Sequence, residues 1–474
     1  MSISYRKNDD MVPDAGKLFI PTFDSDIDPE RDIDAHFTQE QFPKLGKEPV
    51  VTVGILSDLH IAFALHGTFV CCQTQQIFSD LELEVSFRQG QVYFQGELYD
   101  TCLFEPLDTT SSFELKQVTI GIHFHWQRVE NQYFNGSLQF IVEEAKITAV
   151  NHIAVEGYLF SVIASEMSAS ASLQLLKAHA VISRSWLLAP MLNAPSKILP
   201  NVQPLNVDGE TLKWYERDAH AHFDVCADDH CQRYQGIARA RTFNVERAIE
   251  QTRGEVLVYE SEICDARFSK SCGGVSELFE NCWDNRHFDY LTPVRDLQSA
   301  PMVDLTQEPQ AQQWIRTSPD SFCNTTDKSI LSQVLNNYDQ ETTHFYRWRV
   351  TYSESELSDI VKQRSGIDFG KIIDLIPVKR GASGRIVQLK IIGSKCTRLV
   401  GKELEIRKWL SKTHLYSSAF VVDKTPTGFE LLGAGWGHGV GLCQIGAAVM
   451  AVQGYDYKQI LAHYFHHADL QKLY

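Results

Sequence analysis

Glu156-Gly157-Tyr158-Leu159-Phe160-Ser161-Val162-Ile163-Ala164-Ser165-Glu166-Met167 is the stretch on which the fold class turns. Tyr158, Leu159, Val162 and Ile163 recur at helical spacing. The small residues Ser168-Ala169-Ser170-Ala171-Ser172 that follow supply a break and N-cap candidates for a second helix. That helix is expected over 172–188, with Leu173, Leu176, Ala180, Ser183 and Leu187 as its inner stripe and Pro190 as its stop. Lys177 and Arg184, seven residues apart, fall on its other face. Upstream the pattern is different: 50–56, 81–85, 91–95, 113–122 and 138–142 are short alternating or β-branched runs, the mark of strands.

Downstream, residues 210–300 mix strands with a Cys/His cluster, and 300–345 read as a polar, irregular excursion. Short strands return over 348–420, with a Gly381-Ala382-Ser383-Gly384 turn between two of them. A Gly-rich loop, a helix over 444–453 and a second near 457–465 complete the chain. The expectation is an α+β fold in which a β-rich N-terminal part packs on a mixed helix/strand core with a C-terminal Gly-rich loop and helices. The expected domains are a flexible acidic extension at 1–47, a β-rich domain at 48–150, and a core at 151–474 that carries the excursion.

The 474 residues are too many for one ordinary core. Apolar residues at 43% and charged residues at 22% are the balance of a globular chain. A net charge of −16 argues against nucleic acid as a partner and against an anionic membrane surface. No apolar run approaches the roughly 20 residues of a bilayer span, and the first residues carry no apolar core of a signal peptide. The 11 cysteines, odd in number and scattered, read as mostly reduced thiols with room for a metal cluster.

Five segments, in order, carry a family pattern. Residues 156–167 resemble E-x-Y-L-x-x-V-x-x-S-E-M, and Leu176-Lys177-Ala178-His179-Ala180-Val181-Ile182-Ser183-Arg184-Ser185 is similar to L-K-A-Q-A-V-x-A-R-T. Ala248-Ile249-Glu250-Gln251-Thr252-Arg253-Gly254 resembles A-V-x-x-T-x-G. Phe268-Ser269-Lys270-Ser271-Cys272-Gly273-Gly274 stands where a Ser-rich S-x-G-G turn is found, with serine the usual residue at the position of Cys272. Gly435-Trp436-Gly437-His438-Gly439-Val440-Gly441-Leu442-Cys443-Gln444-Ile445-Gly446-Ala447 resembles G-W-G-H-G-V-G-M-S-Q-Y-G-A, departing at Leu442, Cys443 and Ile445. On these residues the chain resembles the stage II sporulation protein D and amidase-enhancer family. The resemblance implies a peptidoglycan lytic transglycosylase or, as the competing reading, a non-catalytic glycan-binding activator of a cell-wall amidase. It also implies the bacterial cell envelope, although no export signal is visible.

The resemblance places the catalytic acid/base at Glu166. Such a group must be partly dry to hand a proton to a glycosidic oxygen, and Val162, Ile163 and Met167 are candidate apolar walls. A hydrolase needs a second carboxylate, whereas a transglycosylase lets a sugar hydroxyl attack internally. Lys177, Arg184, Ser271, Gly437, His438 and Gln444 are candidate substrate-binding residues. His438 can equally be a structural hydrogen bonder, and Cys272 with His438 invites a Cys/His nucleophile reading. The glycines lack dinucleotide spacing, so no nucleotide or organic cofactor is expected. Phe124-His125-Trp126-Gln127 can stack on sugars or pack between strands. Between His220 and Cys231 lie two cysteines and three histidines, zinc's preferred donors. His220, Cys226, His230 and Cys231 are the expected structural set, with His222 an alternative to His220.

Overall fold

The computed structural model describes residues 44–121, 127–168, 170–193, 205–207, 209–214, 220–228, 231–237, 243–334 and 342–474. The acidic extension to residue 43, the cluster Phe124-His125-Trp126 and His230 lie outside these residues. The protein is α+β with a β-rich N-terminal part.

Alternation of buried and exposed side chains runs through β1 (Val50–Asp58), β2 (His60–Cys71), β3 (Ile77–Arg88), β4 (Gln91–Phe94) and β5 (Glu97–Tyr99). The sheet continues in β6 (Cys102–Pro106), β7 (Ser112–Ile120), β8 (Arg128–Asn135), β9 (Ser137–Glu143) and β10 (Lys146–Ala154), the last buried without a break from Ile147 to Asn151. These strands pair antiparallel in the order β1-β10-β9-β6-β2-β3-β4-β5, with β7 joining β2 to β8. The buried face is aromatic: Phe63 meets Phe104 at 5.3 Å and Phe140 at 4.9 Å between ring centres. Each such ring removed from water contributes roughly 1.5–3 kcal/mol, which makes this face the nucleus of a core running from Val51 to Leu473.

β10 passes directly into α1 (Val155–Glu166). The core expected from residue 151 therefore opens on the end of a strand, which pairing with β1 holds as far as Val50↔Ala154. α1 stops at Glu166, where Met167 turns extended. Ser172 then caps α2 (Leu173–Leu192), its hydroxyl accepting from the Leu175 N–H at 3.3 Å. α2 runs beyond the expected stop because Pro190 sits in the final turn, where its missing donor removes a single helical bond. α2 is not two-faced either: every residue from Ala178 to Ala189 is buried between α1, α3 (Phe243–Gln251) and the strand Glu255–Tyr259.

The expected irregular excursion contains two helices, Glu308–Arg316 and Lys328–Val334, the first seated by Ala311, Trp314 and Ile315. Beyond it lie two further sheets. In one, Ile372–Arg380 and Ile386–Gly393 form a hairpin around the expected Gly381–Gly384 turn, which closes through Gly384 N–H to Gly381 C=O at 3.0 Å. The other comprises Arg347–Ser353, Gly428–Ala434 and Phe420–Thr425. The C-terminal helices, Gln444–Val452 and Tyr457–Tyr464, stand where the sequence placed them. Among the described residues no helix is long and apolar enough to cross a membrane.

Candidate active site

Glu166 occupies the last position of α1 and is half-buried. Its Oε1 accepts the Arg233 N–H at 3.2 Å. The next residue, Met167, is buried with its sulfur 3.8 Å from Gln444 Nε2, at the end of the Gly-rich segment. The residue after the helix break thus touches the start of the helix that follows the glycine loop.

That loop is stitched to the protein. Leu442–Cys443 pairs with Phe268–Ser269, and Ser271 bridges Trp436, so the fourth and fifth motif segments lie side by side. Arg385, fully buried, donates to the Gly437 carbonyl at 2.9 and 3.2 Å and to the Cys272 carbonyl at 3.0 Å. Gly439 lies directly over this guanidinium, and a Cβ there would collide with it. Gly435, Gly437, Gly439 and Gly441 all have positive φ, a conformation open to glycine without penalty. His438 is half-buried; Nδ1 accepts the Val440 N–H at 3.0 Å and the ring meets Trp283 edge-on. Burial, then the neighbouring Arg267 and Arg385, hold its pKa well below the ordinary imidazole value, so it is neutral.

The other expected contacts separate into two groups. Lys177 is half-buried, its ammonium 5.2 Å from the Tyr457 ring centre. Arg184 is corrected from an open helix face to the interior. It is fully buried and clasps Glu156 through Nη2–Oε2 at 2.6 Å and Nε–Oε1 at 3.0 Å, while Nη1 donates to the Glu255 carbonyl at 2.9 Å. Glu156 Oε1 also accepts from Gly254 N–H at 3.1 Å and Tyr474 O–H at 2.6 Å. Three of the five motif segments therefore meet at one buried ion pair. Ser271 and Gln444 are likewise interior rather than open to a ligand. Gln444 Nε2 donates to His179 Nε2 at 3.1 Å, which leaves His179 Nδ1 to donate to Ser183 Oγ at 3.2 Å. Burial, then Lys270, lowers the His179 pKa to about 3.

Cys272 and His438 do not form a nucleophile pair. The Cys272 sulfur packs on Cys323 Sγ at 3.7 Å, and burial pushes its thiol pKa well up, the reverse of an activated cysteine.

The Cys/His loop docks on β1 through the short parallel strand Val225–Cys226. Gly54 on β1 leaves room for Phe223, which stacks on His220 at 4.6 Å. His220, Cys226 and Cys231 bring one donor atom each to within 4.8 Å of one another, with Cys231 Sγ 3.5 Å from His220 Nε2. Two sulfurs and one imidazole are a donor set that suits zinc. The same loop continues to Gln232, whose amide oxygen takes the Tyr158 hydroxyl at 3.3 Å, and to Arg233, whose amide holds Glu166.

One feature escaped the sequence reading. Trp436 stacks on Tyr416 at 4.1 Å and borders an open hollow of about 450 Å³, also lined by Trp348, His344, Arg347 and Arg349. The tryptophan was visible in the glycine motif, but nothing in the sequence pairs it with Tyr416.

Comparison with known proteins agrees with the motif reading. Residues 143–259 match the Stage II sporulation protein family, and residues 277–441 match a domain of unknown function (DUF8618). The chain is 27% identical over 337 residues to an uncharacterized protein of Brachyspira hyodysenteriae, covering 71% of this chain and 72% of that one. It is 26% identical over 326 residues to the amidase enhancer of Bacillus subtilis, covering 65% of this chain and 39% of the relative. It is 24% identical over 324 residues to stage II sporulation protein D of Bacillus amyloliquefaciens, covering 68% and 76%. Residues 143–259 thus carry the match to the Stage II sporulation protein family, and over about two thirds of its length the chain is similar to an amidase enhancer and to stage II sporulation protein D.

Proposed function

We propose that the protein acts on bacterial cell-wall peptidoglycan as a lytic transglycosylase with Glu166 as general acid/base. The observation that carries this reading is the half-buried Glu166 carboxyl at the α1 break, fixed by Arg233 N–H and flanked by Met167 against the glycine segment. The Glu166 carboxyl gives its proton to the glycosidic oxygen as that bond breaks. The muramyl hydroxyl then attacks internally and returns a proton to Glu166, so no second carboxylate is required. Half-buried Lys177, Gly437 and neutral His438 are the proposed substrate contacts. The Trp436–Tyr416 stack is a platform on which an apolar sugar face can rest.

Zinc held by His220, Cys226 and Cys231, with His230 as the fourth donor, is the proposed structural metal. With all four positions taken by protein, it would act as a tie rather than a catalyst. Cys231 is two residues from Arg233, so fixing the thiolate fixes the amide that aims Glu166.

The relative named amidase enhancer favours a second reading, in which the same surface binds glycan and stimulates a cell-wall amidase. Purified glycan strands separate the two. Release of anhydro-muramyl ends by the unaltered chain but not by Glu166→Gln supports the enzyme. Equal amidase stimulation by both proteins, without anhydro ends from either, leaves only the activator.

A further inference from the structure

A second group of donors lies in the interior, away from the Cys/His loop. Cys272, Asp296, Cys323 and Cys443 are each 2% exposed or less, and one ligand atom from each lies within 4.8 Å of every other. They come from four separate stretches: the turn after Phe268–Ser269, the segment following Val294, the excursion between its two helices, and the residue before the helix Gln444–Val452. Cys272 Sγ and Cys323 Sγ are 3.7 Å apart. A tetrahedral centre with zinc–sulfur bonds of ~2.3 Å has sulfur–sulfur edges of ~3.8 Å, whereas a disulfide requires ~2.05 Å.

Backbone amides reach two of the sulfurs. Cys443 Sγ accepts the Cys272 N–H at 3.3 Å, and Cys272 Sγ accepts the Gly274 N–H at 3.4 Å. Asp296 is oriented through Oδ1 by Tyr464 O–H at 2.6 Å and through Oδ2 by Cys323 N–H and Ser321 O–H, both at 2.9 Å. Such an outer ring of donors is what fixes a metal-binding carboxylate. Among the described residues, the donors that reach these four side chains are backbone amides, hydroxyls and thiols rather than lysine or arginine. A dry carboxylate amid three thiols therefore has no cationic side chain hydrogen-bonded to it among the described residues, and a metal ion would supply charge there directly. Two of the cysteines, Cys272 and Cys443, stand where the family pattern has serine.

We propose that Cys272, Cys323, Cys443 and Asp296 form a second, structural zinc site that clamps the excursion and the C-terminal glycine segment to the core. Soft thiolates with one carboxylate select zinc over the hard cations calcium and magnesium.

The test uses the full chain with Cys226→Ser and Cys231→Ser, which silences the surface cluster. Elemental analysis should find about one zinc per chain in this background, and cobalt substitution should give thiolate-to-cobalt charge-transfer absorption. Adding Cys443→Ser, or Cys272→Ser with Cys443→Ser to restore serine at both family positions, should cut zinc retention at least tenfold. Absence of zinc and of the cobalt band in the surface-silenced protein overturns the site. So does iron in place of zinc, or a Cys272–Cys323 disulfide trapped by alkylation of that protein. Those outcomes are read before any interior residue is changed, so a folding defect in the later variants cannot mask them.

Discussion

Arg184→Met tests whether the central motif residues hold the fold or the substrate. The change removes the clasp on Glu156 and leaves a carboxylate 7% exposed, with the Gly254 N–H and Tyr474 O–H still donating to Oε1. Breaking a buried ion pair by deleting one partner costs about 3–5 kcal/mol, and the two surviving donors favour the lower half of that range. For the unit Gln41–Tyr474, an unfolding entropy of ~2 cal/mol/K per residue makes ~3–4 kcal/mol a fall in Tm of roughly 4 °C. Adding Glu156→Gln removes the stranded charge, so the double variant should recover ~1.5–3 kcal/mol relative to additivity. Urea midpoints of the four proteins of this cycle give the coupling directly, and glycan pelleting at low temperature reports binding by the folded fraction. Should Arg184→Met keep its urea midpoint and lose glycan binding, the arginine is a substrate ligand and the reasoning fails.

Glu166→Gln, by contrast, should leave the urea midpoint within ~0.5 kcal/mol while lowering anhydro-muramyl release at least 100-fold, since amide cannot carry the proton; activity within a few-fold of the unaltered chain in product chromatography sinks the proposed role. His179 stays neutral in the folded protein down to about pH 3, but near pH 6.5 in the unfolded chain. The unfolded state therefore takes up the proton first, and stability present above pH 6.5 drains away as the pH falls toward 3. His179→Gln should thus gain ~2 kcal/mol relative to the unaltered chain at about pH 4.5 and nothing comparable at pH 8, measured by urea titration at both. Trp436→Ala should weaken glycan binding roughly tenfold, or ~1.4 kcal/mol, by calorimetry; unchanged affinity removes the stacking platform from the proposal.

The sequence made the N-terminal strands visible because alternation is local, and the helix break at Glu166 visible because small residues interrupt an apolar run. The Cys/His loop was legible for the same reason: its donors fall within a short span. What could not be read was long-range. Arg184 looks like a solvated cation until Glu156, 28 positions away, is seen against it. A helix buried on nearly every face has no polar side from which to argue, which is why α2 misled. Cys323 and Asp296 carry no motif, and only the fold gathers them with Cys272 and Cys443. Two short amphipathic helices were lost inside a polar average, because three apolar side chains suffice to seat the first of them.

The guanidinium of Arg385 beneath the alternating glycines has a thermodynamic consequence. A segment so rich in glycine ordinarily surrenders much backbone freedom when it closes on a ligand. Here that freedom has already been forfeited during folding, since the Gly437 carbonyl is doubly held and Gly439 rests against the arginine. Under the proposed function, a polysaccharide arriving at this surface would meet a rigid rim, so its affinity would not be drained by loop ordering and the heat capacity of association would reflect contact area alone.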